Sequence, residues 1–388
     1  MANELLGKAR KSKNDEFYTQ YADIEKEMNA YVDYNADVFR GKRILLPCDD
    51  PEWSNFTKYF AQNFDNFGLK KLISTSYAPN SKPQELSYQP TLFELESADF
   101  DSEKTQANGK IFTLTNDKTG DGVIDVEDLE WAYLEGNGDF RSDEIKALRD
   151  EADIVITNPP FSLFKEFLAW IREANKDFVI VGNQNAITYK EVFPLFKENK
   201  IWLGKGFTRN MAHFYTPYVP ESKWIEQEGD HIVRVAGIQW FTNLEHGRRH
   251  EPLPLMTEAD NIKYSKHKEV REVGYKTYDN YDAIEVPFSD AIPSDYEGVI
   301  GVPITFLTKY SPEQFEILGG DAFDGTPPTK KYANKVKVVN GVRMKSTTGT
   351  MGCVIRREDF GSGTCFDVGY PVQAVYKRIF IRHRKADR

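Results

Sequence analysis

The stretch DIVITNPPFSLF, residues 153–164, decides how the rest of the chain is read. Its first four residues, Asp153 to Ile156, hold the apolar run Ile154–Ile156 and read as a buried strand. Two prolines, Pro159 and Pro160, follow after Thr157 and Asn158. Proline fixes φ and offers no backbone donor, so the strand has to stop at Asn158 in a stiff turn. The turn presents proline carbonyls and the Asn158 side-chain oxygen as neighbouring acceptors, and Phe161 adds an aromatic face. Two convergent acceptors suit an NH₂ group, and a ring face suits a planar partner. Acceptors that hold both hydrogens of an exocyclic amine push its delocalised lone pair toward a tetrahedral, nucleophilic state by fixed electrostatics. A planar ring bearing NH₂ is above all a nucleobase. The competing reading is a tight strand-to-helix turn with no ligand.

Working outward, strands and helices alternate. DEFYTQYADIEKEMNAY (15–31) reads as a turn entering an amphipathic helix with Ile24, Met28 and Tyr31 on one face. RILLPC (43–48) is a strand ending in the acidic turn DDPEWSNF, followed by a helix through Phe60, and KKLISTSY (70–77) is a second strand. Residues 78–110 are polar and irregular, as expected of an insertion, and KIFTLT (110–115) is a further strand candidate. DEIKALRDEA (143–152) is a short helix; DIVITN, the helix SLFKEFLAWIREAN and the strand DFVIVGN (177–183) come next. IWLG (201–204) and VRVAGIQWFTNL (233–244) supply the last strands. Such alternation predicts a mostly parallel sheet with helices on both faces, an antiparallel edge strand, and a ligand site where the strand order reverses. After about residue 246 the chain turns rich in Tyr, Pro and Asp without helical periodicity, which predicts a loop-rich, substrate-reading region. The expected division is therefore 1–245, with an insertion near 78–130, and 246–388.

At 388 residues, with 40% hydrophobic and 28% charged side chains, the composition is ordinary for a globular protein of more than one core. No apolar run is long enough to cross a bilayer and the N-terminus lacks a signal-peptide apolar segment, so a cytoplasmic protein with no membrane association is expected. The three cysteines, Cys48, Cys353 and Cys365, have no metal-ligand spacing. Six scattered histidines form no nucleophile–base set, and no glycine fingerprint for a dinucleotide follows the first strand.

The net charge is −10, yet residues 330–388 hold 14 Lys/Arg against 4 Asp/Glu, so this region carries +10 and the rest −20. Together with KARKSK (8–13), that asymmetry points to phosphate contacts by a basic region on an acidic body, with Lys11, Lys13, Arg343, Lys345, Arg356 and Arg357 as candidates. A solvated basic tail is the competing reading.

The quartet Asn158-Pro159-Pro160-Phe161 resembles the amine-binding motif of S-adenosylmethionine-dependent N6-adenine DNA methyltransferases. KSKNDEFYTQY, CDDPEWSNFTKYFAQNFDNFGLKKLI, GNGDFRS, DIVITNPPFSLF, ITYKEVF, ENKIWLG, YDNYDAI and GVPITFL with PEQFE are similar to the EcoRI modification methylase family, collinearly from about Lys11 to about Glu316. The resemblance implies a Rossmann-like methyltransferase sheet, S-adenosyl-L-methionine as cofactor and double-stranded DNA as substrate. It leaves open whether a cognate restriction endonuclease exists, one that would act on the same site without a stable complex.

Roles follow from the matching segments. In NDEFYTQ, Phe17, Tyr18 and Thr19 are implied contacts at the methionine end of the cofactor, where a ring face attracts a sulfonium; otherwise Phe17 and Tyr18 anchor the first helix. Pro47, Cys48, Asp49 and Asp50 shape the first cofactor turn without the glycines usual there, and either Asp meets the cofactor amino group or caps a helix. Ser74 and Thr75 stand where an acidic residue usually holds the ribose. In GNGDFRS, Asp139 accepts from the cofactor adenine amine and Phe140 covers its ring, with a ligand-free turn as the competing reading. Asn158 and the Pro159 carbonyl hold the target amine and Phe161 stacks on a base flipped out of the duplex.

Two alternatives remain: transfer to another planar amine or amide, such as an RNA base or a protein glutamine, and a non-catalytic DNA-binding module retaining the fold. DKTGDGVIDVED (117–128) has the spacing of a twelve-residue calcium loop, with Asp at its last position. A β-turn at residues 119–122 between two strands, followed by a helix starting near Asp125, is the preferred reading, and no metal is assigned.

Overall fold

The apolar runs around Asn158 pair as the centre of an eight-stranded sheet. A computed structural model describes residues 18–48, 54–78, 100–207, 211–216, 224–227, 230–346 and 349–384. Lys11, Lys13, Phe17, Asp49 and Asp50 lie outside the described residues, and Lys345 is described through its backbone alone. By internal contacts the chain forms two units, one of Met1–Ala186 with Ile201–Gly247 and one of Ile187–Lys200 with Arg248–Arg388.

In the first unit the sheet strands are β1 (Arg43–Pro47), β2 (Lys71–Thr75), β3 (Lys110–Leu114), β4 (Glu130–Tyr133), β5 (Ile154–Thr157), β6 (Asp177–Asn183), β7 (Trp202–Leu203) and β8 (Ile238–Thr242). Their order across the sheet is β4-β3-β2-β1-β5-β6-β8-β7. β2, β1, β5 and β6 are parallel. β3 and β4 on one side, and β8 and β7 on the other, are antiparallel. The sheet is therefore mixed, with a parallel centre, which corrects the expectation of a single antiparallel edge strand. The parallel strands are covered on both faces and read as unbroken apolar runs: all four residues of β5 are buried.

Helices α1 (Tyr21–Tyr34), α2 (Asn55–Gln62), α3 (Asp143–Glu151) and α4 (Phe164–Glu173) belong to the same unit. α1 buries Ile24, Met28 and Tyr31, the face read from their spacing, and with them Glu27. The Glu27 carboxylate accepts from Lys205 N and Gly206 N, both at 2.9 Å, and from Tyr31 Oη at 2.6 Å. Burial pushes its pKa up, and these donors oppose that rise. α4 sits close to β6 because Gly182 has no side chain: a Cβ there would lie 2.3 Å from the Phe164 ring. Phe164 is thereby buried against Phe241, with centroids 4.9 Å apart. Burying one such ring contributes about 1.5–3 kcal/mol.

The run VRVAGIQWFTNL, expected as one strand, divides at Gly237, where φ is 75°. Asp230–Ala236 joins a separate antiparallel four-stranded sheet with Tyr18–Thr19, Met211–Thr216 and Trp224–Gln227, while Ile238 onward is β8. Glycine takes the left-handed turn there without a Cβ clash.

The second unit corrects the loop-rich expectation. Its described residues include two five-stranded sheets. One is ordered Lys276–Thr277, Ile284–Glu285, Ile300–Pro303, Arg378–His383, Phe315–Gly320. The other runs Val342–Ser346, Val336–Val339, Thr364–Asp367, Pro371–Ala374, Val354–Arg356. These strands are only two to six residues long, too short to impose a pattern on the sequence. Part of the C-terminal charge is internal: Arg378 is 7% exposed and pairs with buried Glu285 at 2.5 Å. No helix among the described residues is long and apolar enough to cross a membrane.

Candidate active site

The strand order reverses at β1, which lies between β2 and β5, and the carboxyl ends of β1 and β5 meet there. Sheets of this kind bind ligands at such a point because the connections leave it on opposite sides and open a crevice. The Thr157 hydroxyl donates to the Pro47 carbonyl oxygen at 2.6 Å and ties the two ends together. Cys48 then takes φ 67°, the left-handed conformation that the missing glycine would otherwise supply.

Asn158-Pro159-Pro160-Phe161 leaves β5 as anticipated. Pro159 is buried, Asn158 and Pro160 are half-buried, and the Asn158 Oδ1 atom is itself buried. Leu163 N donates to Pro160 O at 2.9 Å and opens a single 3₁₀ turn, Phe161–Leu163, before α4 begins. Phe161 is half-buried and packs on the core; its ring centroid is 6.1 Å from that of Phe214, with the planes at 65°.

Phe214 also links this turn to the N-terminal segment. Tyr18 pairs with Tyr215 and Thr19 with Phe214 in antiparallel register. Thr19 is 2% exposed, and its carbonyl accepts from Asn55 Nδ2 at 2.9 Å, fixing the segment to the start of α2. Ser54 caps that helix through Phe56 N at 3.1 Å. Nothing in the sequence marks Phe214, because its neighbours here lie 53 and 195 positions away.

The GNGDF loop docks on the end of β2. Gly138 has φ 83°, and a Cβ there would come within 2.2 Å of Ser76 O; a Cβ on Gly109 would lie 2.6 Å from the same oxygen. Ala78 N donates to Asn137 O at 2.9 Å, and the Asn137 side chain reaches Tyr77 Oη at 3.4 Å. Asp139 is held by Arg141 through Nε at 2.9 Å and Nη2 at 2.6 Å, and these hydrogen bonds keep its carboxyl below the usual aspartate range. Burial, and then the Asp139 charge, raise the Tyr77 hydroxyl. Tyr77, Asn137 and Arg141 thus stand beside Asp139 without having been anticipated. Asn137 and Arg141, each two residues from Asp139 in GNGDFRS, had a readable signal.

Two expected roles do not match the placement. Ser74 and Thr75 are both 0% exposed, and the Ser74 hydroxyl is 2.9 Å from Thr57 Oγ1, so that Ser74 seats α2 against β2. Phe140 is 4% exposed, with Phe167 at 5.1 Å and Trp170 at 5.7 Å, so its ring anchors α4 in the core and has little surface left to cover a ligand.

The acidic stretch 117–128 is a hairpin between β3 and β4. Asp117 accepts from Gly120 N at 2.6 Å and Gly122 N at 2.8 Å, and Asp128 accepts from Lys118 N, Thr119 N and Asp125 N at 2.7, 2.9 and 3.0 Å. These carboxylates fold the loop by binding its own backbone. The helix expected near Asp125 is a single 3₁₀ turn, Val126–Asp128, capped by Asp125.

Three basic candidates of the second unit are already engaged. Arg343 pairs with Asp367 at 2.5 Å while 65% exposed, Arg356 pairs with Asp279 at 2.7 Å while 66% exposed, and Arg357 bonds the Ser362 carbonyl at 3.3 Å. Arg343 and Lys345 share the edge strand Val342–Ser346.

Comparison with known proteins adds to this geometry. The family model described as "Adenine-specific methyltransferase EcoRI" matches residues 5–384. The chain is 44% identical over 321 residues to Type II methyltransferase M.EcoRI of Escherichia coli, covering 81% of this chain and 89% of that one. It is 33% identical over 318 residues to Type II methyltransferase M.MpnI of Mycoplasma pneumoniae, covering 81% and 84%. It is 35% identical over 318 residues to Type II methyltransferase M.MgeORF184P of Mycoplasma genitalium, covering 81% and 85%. No solved structure matches it.

Proposed function

The chain belongs to the EcoRI family of adenine-specific methyltransferases and is a site-specific DNA adenine methyltransferase of restriction-modification, and from that premise we propose how its residues perform the transfer. The observation that carries the reading is the seat of Asn158-Pro159-Pro160-Phe161 at the strand-order reversal, with the Asn158 oxygen buried beside the joined ends of β1 and β5.

The methyl donor is S-adenosyl-L-methionine, which supplies a methyl group on a sulfonium, already a good leaving group. The residues at hand fit it: the Thr19 hydroxyl is buried without a partner among the described residues, and Gly138, packed on the Ser76 carbonyl, fixes the loop that carries Asp139. Tyr18 and Thr19 would hold its methionine end, Pro47 and Cys48 would shape the turn against it, and Asp139 would accept from its adenine amine. Arg141 holds that carboxylate ionised and oriented.

Adenine inside a duplex cannot bring N6 to the donor, so the base is flipped into the pocket. Asn158 Oδ1 and the Pro159 carbonyl accept from its amine, and Phe161, steadied by Phe214, stacks on the ring. Their contribution is placement and fixed electrostatics. Residues 246–388 read the DNA site. The protein works in the cytoplasm, beside an endonuclease of the same specificity that forms no stable complex with it. Mapping N6-methyladenine in DNA from cells expressing the chain tests reaction and site together. A single methylated sequence context is expected, and unmodified adenine throughout would refute the proposal.

A further inference from the structure

The second unit holds a cleft of about 460 Å³ between residues 322–335 and 349–351. Lys330, Lys331 and Lys335 line it, and no carboxylate is among the described residues that do. Behind it stands Asp279, whose side chain is 5% exposed. Its carboxylate accepts from Tyr332 Oη at 2.6 Å, Tyr370 Oη at 2.5 Å, Arg356 Nε at 2.7 Å and Lys330 Nζ at 3.2 Å. The Tyr370 ring carries the Arg356 guanidinium at 4.6 Å and the Lys330 ammonium at 4.9 Å. One carboxylate thus fixes two cations that would otherwise repel each other. Lys335 Nζ donates to the Gly349 carbonyl across the cleft, and Lys331 is exposed.

Four cations against one carboxylate, concentrated on a chain whose net charge is −10, make a local field that calls for an extended anion. Ordering two of them beforehand lowers the entropy lost on binding. We propose that this cleft binds the sugar-phosphate backbone of duplex DNA, with Lys331 and Lys335 contacting phosphates and Asp279 as the positioning residue for Lys330 and Arg356. The proposal rests on duplex DNA being the substrate, and assigns that substrate a second contact outside the catalytic pocket.

The test measures duplex affinity against salt for the full-length protein. Lys331→Gln with Lys335→Gln removes two phosphate contacts, so the slope of log K against log salt falls by about 1.8 and binding at 0.15 M salt weakens roughly 30-fold. Lys263→Gln with Lys268→Gln, an exposed pair elsewhere on the unit, leaves the slope alone. Asp279→Asn raises KM for DNA far more than it lowers kcat, and Asp279→Glu recovers part of the loss, a split that general unfolding does not produce. A wild-type slope in the first double variant, or an equal loss in the second, overturns the assignment while leaving duplex methylation standing. Wild-type protein that neither binds nor methylates any duplex removes both readings.

Discussion

Thr157 donates its hydroxyl proton to the Pro47 carbonyl oxygen at 2.6 Å, across the boundary between two parallel strands and beyond the last backbone pairing that joins them. Both residues are buried, so Thr157→Val leaves a carbonyl without its donor. The expected loss is about 1–3 kcal/mol in urea unfolding. Thr157→Ser keeps the bond and most of the stability; a Val variant as stable as wild type would show that the tie contributes nothing.

Asn158→Ala should retain the cofactor and lose the reaction. Removal of one preorganised polar group at the reacting centre costs roughly 10²–10³ in kcat. Calorimetric titration with S-adenosyl-L-methionine reads the first property and radiolabelled methyl transfer to duplex DNA reads the second. Wild-type turnover in this variant contradicts the amine-holding role.

Gly138→Ala combines an unfavourable left-handed backbone with a Cβ that would fall 2.2 Å from the Ser76 carbonyl oxygen. The loop carrying Asp139 has to move. A destabilisation of about 2 kcal/mol or more is expected, with weaker cofactor binding. Gly136, whose nearest contact is a flexible Glu144 side chain at 3.7 Å, is the control and should accept Ala with a smaller loss.

Asp128 gives a pH signature. Backbone N–H groups, that of Thr119 foremost, hold its carboxyl down from 3.8 to about 2. A carboxyl depressed in the folded state stabilises fully above its unfolded pKa and loses that contribution as pH falls through the folded value. Asp128→Asn should therefore lower the urea midpoint at pH 7, and the gap to wild type should narrow between pH 4 and pH 2. A gap independent of pH assigns the effect to shape alone.

The parallel centre of the fold was legible because buried strands write themselves as apolar runs: β1, β5 and β6 fall within the segments read for them. The Asn158 turn was legible because two prolines have few uses at a strand end. Contacts assembled from distant segments left no such trace. Phe214 meets Thr19 and Phe161 only once an antiparallel sheet has formed, and Phe140 could be assigned to core or ligand only by seeing Phe167 and Trp170 around it. Ser74 reads two ways because a hydroxyl suits a helix contact, here with Thr57, as well as a sugar. In the second unit, strands of two to six residues carry too few alternations to stand out.

The assignment of Ile187–Lys200 to the second unit sets an order of assembly during synthesis. Phe193 packs on Phe323 at 5.0 Å, and Asn199 accepts from Arg249 at 2.6 Å, so this segment emerges from the ribosome long before its partners. The first unit, for its part, lacks β8, and with it the strand that β7 pairs with, until residue 242 has been made. A gene cut at residue 246 would give a first fragment bearing an unmatched loop and a second lacking the partners of Phe323 and Arg249. Splitting this enzyme into separately expressed halves therefore requires transplanting residues 187–200 as well.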